Sequence, residues 1–195
     1  MSFKLWAQRA PTDEAVLVSR LLRGDRLALD HLYRQEAGEV YRFALAMCGN
    51  PAWSADATQD AFVQLALQPG GFDPAKGVLR AYLCGIVRHK LLARWRDAGA
   101  ADGDDADEAA ADPDAPSPET LLVRLQSHRA LWAAVRELPW PFREALVLVD
   151  LQERSYAEAA QIAGVELNTL RTRLHRARLR LAQALSSMYR ETVND

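Results

Sequence analysis

Hydrophobic residues recur every three to four positions along two stretches of this chain, with polar residues on the opposite face of each predicted helix. In the first stretch, Gly24 and Asp25 interrupt the apolar pattern. Asp25 is placed to cap a helix carrying Leu29, Leu32, Tyr33, Val40, Phe43 and Met47, which Gly49-Asn50-Pro51 ends. A second helix is predicted from Ser54, its expected N-cap, to Leu67, with Ala57, Ala61, Phe62 and Leu65 on one side. The tract Gln68-Pro69-Gly70-Gly71-Phe72-Asp73-Pro74 reads as a loop. A third helix, from about Gly77 to Arg96, carries the stripe Leu79, Leu83, Ile86, Val87 and Leu91.

The second stretch opens on Ser117-Pro118-Glu119: an N-cap, a proline at the first helical position and an early acid. Leu121, Leu125, Trp132, Val135 and Leu138 share one side of the helix behind it, and Pro139 and Pro141 bracket a break. From Phe142 to about Leu151 the chain is almost continuously apolar, as the centre of a core requires. Ser155-Tyr156-Ala157-Glu158 forms a capping box, and the short helix it opens offers Ala159, Ala160, Ile162 and Ala163 for close crossing. Gly164 stands where a tight turn needs a positive φ. A last helix places Leu170, Leu174, Ala177 and Leu181 inward. The expectation is an all-α protein of two small helical domains, residues 13–97 and 118–190.

Composition changes this picture at one place. From Asp97 to Glu119 there are nine acids and no lysine or arginine, amid alanine, glycine and proline. Such a stretch buries too little surface to offset the entropy of ordering, so 98–117 is expected to be a flexible acidic linker. Setting the nine acids aside takes the formal charge of the remainder from −2 to +7. The helical parts are therefore basic, and the linker masks it. No apolar run approaches the ~20 residues that span a bilayer, and the N-terminus lacks the pattern of a secretory signal, so a cytoplasmic protein is expected. Cys48 and Cys84 stand apart, without the spacing of a disulfide framework or zinc site, and read as small hydrophobes.

The basic charge is concentrated on two helices. Opposite the inner stripe of the last helix lie Asn168, Thr169, Arg171, Thr172, His175, Arg176 and Arg178, flanked by Arg173 and Arg180. Presented by a shorter helix across a glycine turn, such a face fits the major groove of B-DNA. Arginine can pair bidentately with guanine there, and the remaining cations can neutralise phosphates. The third helix carries Arg80, Arg88, His89, Lys90, Arg94 and Arg96, interleaved with Tyr82 and Trp95. Aromatics among cations suit single-stranded or opening DNA, although a surface helix whose aromatics fill the core has the same spacing. Asp56 and Asp60 share a helix face, but no phosphate loop, HExxH or GxSxG accompanies them, and His31 and His128 are singletons. No enzyme, cofactor or metal is expected.

Three segments resemble the extracytoplasmic-function (group IV) sigma factors of bacterial RNA polymerase, in the sigma-70 family. They are Ala55-Asp56-Ala57-Thr58-Gln59-Asp60-Ala61-Phe62; Phe72-Asp73-Pro74 through Leu79-Arg80-Ala81-Tyr82-Leu83 to Arg94-Trp95-Arg96; and Leu138-Pro139 through the capping box to Leu174-His175-Arg176-Ala177-Arg178. They are similar, in order, to regions 2.2, 2.3 with 2.4, and 4. The resemblance implies that the first domain binds the clamp of the polymerase largest subunit, with Asp56, Gln59, Asp60 and Phe62 at the contact, and that the flap is also engaged. It implies that Phe72, Arg80, Tyr82, Arg88, His89, Lys90, Arg94 and Arg96 recognise and melt the −10 element, and that Asn168, Thr169, Arg171, Thr172, Arg173, His175, Arg176 and Arg178 serve the −35 duplex. An anti-sigma factor is implied as a further partner. His89 stands where the family often has asparagine, and Tyr82 where tryptophan is frequent. The alternative is a stand-alone helix-turn-helix regulator of operator DNA, which would need a dimerisation or effector domain in place of the first one.

Overall fold

The computed structural model describes the backbone of residues 11–74, 76–97 and 118–193, and side chains within 14–74, 76–97 and 128–187. The expected linker, the Ser117 cap and the side chains of Leu121 and Leu125 lie outside the described residues. Every regular element described is helical, as the periodicity predicts.

Four helices form the first unit: α1 (Pro11–Leu22), α2 (Arg26–Cys48), α3 (Pro51–Leu67) and α4 (Leu79–Asp97). Asp25 caps α2, its carboxylate accepting from the Leu27 amide at 3.0 Å, and Gly49 ends it in the left-handed region at φ 68. The next helix begins earlier than expected. Asn50 is its N-cap, bonding the Trp53 amide at 3.0 Å, with Pro51 in the first turn, where a missing N–H costs nothing. Ser54 therefore lies inside the helix, buried, with its hydroxyl on the Asn50 carbonyl at 2.7 Å. The 68–74 loop holds one 3-10 turn, Pro69–Gly71. Glu14 of α1 accepts from the Leu79 amide at 2.8 Å, so α1 satisfies an orphan donor at the start of α4.

The second unit comprises α5 (Pro118–Glu137), α6 (Trp140–Leu146), α7 (Tyr156–Ala163) and α8 (Leu167–Val193). The apolar run after Phe142 is not one uniform helix: α6 widens into a π-helical turn, Val147–Leu151, closed by Gln152 N–H on the Val147 carbonyl at 2.9 Å. Ser155 and Glu158 make the reciprocal capping box, and Gly164 takes φ 64 between α7 and α8. Ala159, Ala160, Ile162 and Ala163 are buried against Leu170, Leu174 and Ala177, which set the crossing of the two helices.

The two units pack together. One contiguous cluster of buried side chains runs from Phe43, Met47 and Leu83 of the first to Trp140, Leu148 and Leu174 of the second. The contact is made chiefly by α7 on α4 and by α6 with its π turn on α2.

Candidate nucleic-acid interface

Helix α8 turns Leu170, Leu174 and Ala177 inward, and this fixes what its other side offers. Asn168, Thr169, Arg171, Thr172, His175 and Arg176 are all exposed. Asn168, Arg171, Thr172, His175 and Arg176 fall at helical spacing on one strip, directly opposite the buried residues. The Thr172 hydroxyl bonds its own helix at the Asn168 carbonyl, 2.9 Å away, and Arg171 lies over the Tyr156 ring of α7, 5.8 Å from its centre. Two other arginines are engaged elsewhere. Arg178 forms a two-pronged pair with Asp150 of the π turn, at 2.6 and 2.9 Å, and that hydrogen bonding holds its proton more tightly than usual. Arg173 is half-buried, on the side of the helix whose charge reaches Glu144.

On α4 the basic residues spread over three faces. Lys90 and Arg94 lean toward α3, where Lys90 pairs with Asp60 at 2.7 Å and Arg94 with Asp56 at 3.4 Å. Arg94 also lies over Trp53, 5.5 Å from the ring centre. Arg80 and Arg88 face the other flank. Arg80 pairs with the buried carboxylate of Glu36 in α2, and Arg88 with Glu144 of α6 at 2.5 Å. Trp95, on the same flank, meets Trp140 at 5.9 Å. Tyr82, His89 and Arg96, seven residues apart in succession, share the third face. His89 and Arg96 are exposed on it. Phe72 is buried rather than displayed: its ring stacks at 5.6 Å on half-buried Tyr82, which anchors the 68–74 loop on the start of α4.

The acidic ridge of α3 is open. Asp56 and Asp60 are 61% and 55% exposed, and Gln59 lies beside them. Phe62 is a core residue, its ring edge-on to Tyr33 at 4.8 Å, because it continues the Ala57, Ala61 and Leu65 stripe. Beside Asp60 runs a shallow groove lined by Val63, Gln64, Leu67, Gln68 and Lys90. Val63 and Leu67 were not singled out from the sequence. Their signal was available: two apolar residues at i, i+4 that miss the buried stripe.

Glu144 was missed too. It sits in an apolar run, and the arginine that pairs with it is 56 positions away on another helix. Burial pushes its carboxyl up from the ordinary range, against the pull of Arg88. Burial likewise pushes the Cys84 thiol up to about 12, so it stays protonated at neutral pH. Cys48 is half-buried, with its sulfur 3.3 Å from the Ser54 hydroxyl. His31 is exposed, and His128 accepts from the Trp132 indole at 2.9 Å. Among the described residues no cluster of three histidine, cysteine or acidic side chains could hold a metal, and no helix is long and apolar enough to cross a membrane.

Comparison with known proteins places names beside this geometry. Residues 32–101 match Sigma-70 region 2, and residues 128–181 match Sigma-70, region 4. The chain is 34% identical over 191 residues to the ECF RNA polymerase sigma factor SigE of Mycolicibacterium smegmatis, covering 94% of this chain and 71% of that protein. It is 31% identical over 182 residues to the ECF RNA polymerase sigma factor SigM of Mycobacterium tuberculosis, covering 91% and 87%. Among solved structures the fold is similar to CnrH in complex with the cytosolic domain of CnrY (TM-score 0.66, 21% identity, 89% of this chain and 97% of that one). It is also similar to the sigma factor RpoE in complex with the anti-sigma factor NepR from Bartonella quintana (TM-score 0.64, 21% identity, 80% and 96%).

Proposed function

From the premise that this chain belongs to the extracytoplasmic-function sigma factors of the sigma-70 family, we propose a division of labour among its surfaces. The chain is a promoter-specificity subunit: it binds core RNA polymerase and promoter DNA and directs initiation. Sigma factors are initiation factors without catalysis of their own, and we assign no enzymatic activity to this one.

The observation that carries the residue-level reading is the α8 strip: Asn168, Arg171, Thr172, His175 and Arg176 are exposed together, opposite a buried stripe, on a helix held by a capped partner. These residues read the −35 duplex. Arg171 and Arg176 supply the forked donors that guanine accepts, and Thr169 and Thr172 meet base edges or phosphates near the helix start. Arg173 and Arg178 hold the helix in place rather than reading bases. On α4, Tyr82, His89 and Arg96 form the track for the separated −10 strand: an aromatic face, an imidazole and a phosphate partner. Lys90 and Arg94 sit at its edge, and Phe72 positions Tyr82. On α3, Asp56, Gln59 and Asp60, with the Val63–Leu67 groove, contact the polymerase clamp, and Phe62 stiffens the ridge from beneath. The functional boundaries are 13–97 and 118–190, with 98–117 as the tether between them. An anti-sigma factor holding the chain inactive in the cytoplasm completes the reading, supported by the fold's likeness to RpoE bound to NepR.

Run-off transcription with purified bacterial core polymerase across a genomic promoter pool tests this reading. The expected result is core-dependent initiation at a defined promoter set. Tight operator binding by the chain alone, without core association, would sink it.

A further inference from the structure

Two arginines of α8 stand against partners in opposite ways. Arg178 spends its donors, since the Asp150 carboxylate takes two of them at 2.6 and 2.9 Å. Arg171 instead lies over the Tyr156 ring, its guanidinium carbon 5.8 Å from the ring centre, within the range of cation–π attraction. A ring attracts the charge without supplying a lone pair, so the N–H fork of Arg171 stays available to an acceptor outside the protein. Among the described residues no ring underlies Arg176. Tyr156 is itself well placed to act as a platform. It is the first residue of α7, directly behind Ser155, whose capping box with Glu158 sets the backbone there. Its side chain is 39% exposed, so part of it is covered and part open to solvent. The hydroxyl accepts a lesser hydrogen bond from Arg178, whose chief partner is Asp150.

We propose that Tyr156 is a positioning residue for promoter reading: its ring fixes Arg171 toward the duplex, so the base that Arg171 meets is chosen more strictly than the base that Arg176 meets. This rests on the reading of the α8 strip proposed above. The argument concerns side-chain freedom. An exposed arginine samples many rotamers, and a base contact must immobilise it, which weakens the contact by the freedom lost. A guanidinium already seated over a ring has less to lose. It also discriminates better. A loosely held arginine can swing to a phosphate or a neighbouring base when guanine is absent, and so forfeits little on a wrong site. An arginine held by a ring must abandon the ring to do the same, which penalises the wrong base. The ring carries this role, and the hydroxyl does not. A phenol that bonded a DNA phosphate would add affinity on every sequence alike, because phosphates carry no sequence information. The two roles therefore predict different losses when the ring or the hydroxyl alone is removed.

The test uses the full chain with core polymerase on one promoter recovered from the run-off pool. Its −35 element is randomised, each template carries a barcode in its transcribed part, and sequenced transcripts give the base preference at every position. Tyr156→Phe keeps the ring and removes the hydroxyl; Tyr156→Leu keeps apolar bulk and removes the ring. Arg171→Ala marks the position that Arg171 reads, where the preference should fall by about tenfold. Tyr156→Leu should lower the preference at that same position by about threefold, as fits an exposed cation–π contact, and leave the other positions unchanged. Tyr156→Phe should keep the wild-type preference. Added to Arg171→Ala, Tyr156→Leu should cost nothing further there, because the two residues act as one pair. Thermal melting confirms that each variant folds. Wild-type preference in Tyr156→Leu, with Arg171→Ala losing it, overturns the proposal alone. An equal loss in Tyr156→Phe and Tyr156→Leu across all positions overturns it in favour of a hydroxyl contact to the DNA backbone. No change in Arg171→Ala overturns it together with the reading of the α8 strip.

Discussion

Helices α4 and α8 carry similar arginine-rich sequences, yet the fold treats their charges in opposite ways. On α8 the inner stripe is simple and the strip opposite it stands free. On α4 buried residues point in several directions, because the helix packs on α2, α3 and α7 at once. Four of its five arginines and lysines, all but Arg96, are therefore met by carboxylates: Arg80 by Glu36, Arg88 by Glu144, Lys90 by Asp60 and Arg94 by Asp56. A count of cations measures the potential for binding DNA; how many are free depends on how many neighbours the helix has. The exposed pairs with Asp60 and Asp56 are worth ~0–1 kcal/mol and exchange readily for phosphate, whereas the buried pair with Glu144 does not let go singly.

The largest effect should come from the stripe that makes α8 one-sided. Leu170 is fully buried, and Leu170→Ala should cost about 3 kcal/mol, transfer loss plus a residual cavity. Because the buried cluster is continuous across both units, urea denaturation should still show one transition, moved to lower urea. Two separated transitions, with that of the α4 unit unmoved, would mean that the packing between units adds nothing to stability.

Charge reversal on the α3 ridge comes next. Asp60→Arg should weaken association with core polymerase by roughly tenfold or more, since a like charge at an electrostatically matched contact costs more than the loss of one attraction. The same substitution sets an arginine beside Lys90, so circular dichroism must confirm an intact fold. Unchanged affinity in a competition assay for core would remove Asp60 from the contact. Arg176→Ala should reduce use of −35-dependent promoters by about tenfold, the ~1–3 kcal/mol of a base-specific contact. Its own side chain makes no described structural bond, so thermal stability should not move.

How far the sequence carried these assignments depended on the range of the interaction. The capping box at Ser155, the turn at Gly164 and the Asp25 cap were legible because each is complete within four residues. Asn50 outcompeted Ser54 as a cap because Pro51 supplies a better first turn, a local choice between two acceptable signals. The α8 strip was legible because a single stripe defines its opposite. Glu144 was not: a buried carboxylate amid apolar neighbours announces a partner but does not say that the partner is Arg88, 56 residues back on another helix. Nor could spacing show that Phe72 turns inward, since that follows from how the loop docks on the start of α4.

The smallest predicted effect separates the two kinds of arginine within α8 itself. Arg176 and Arg178 are two positions apart, about 200° around the helix, so they cannot both face one groove. Arg178 is turned back to Asp150, which the π turn of Val147–Leu151 brings under α8; without that widened turn the carboxylate would point elsewhere. Arg178→Ala should therefore leave −35 promoter choice unchanged. It should lower stability by only about 0.5 kcal/mol, as suits a pair whose arginine is half-exposed. Asp150→Ala should match that loss, and the double variant should cost little more than either single one, because the coupling resides in the pair. If Arg178→Ala instead altered which base is preferred at the −35 element, the arginine would have to leave Asp150 on binding DNA. The distinction between holding and reading arginines would then apply only to the free chain.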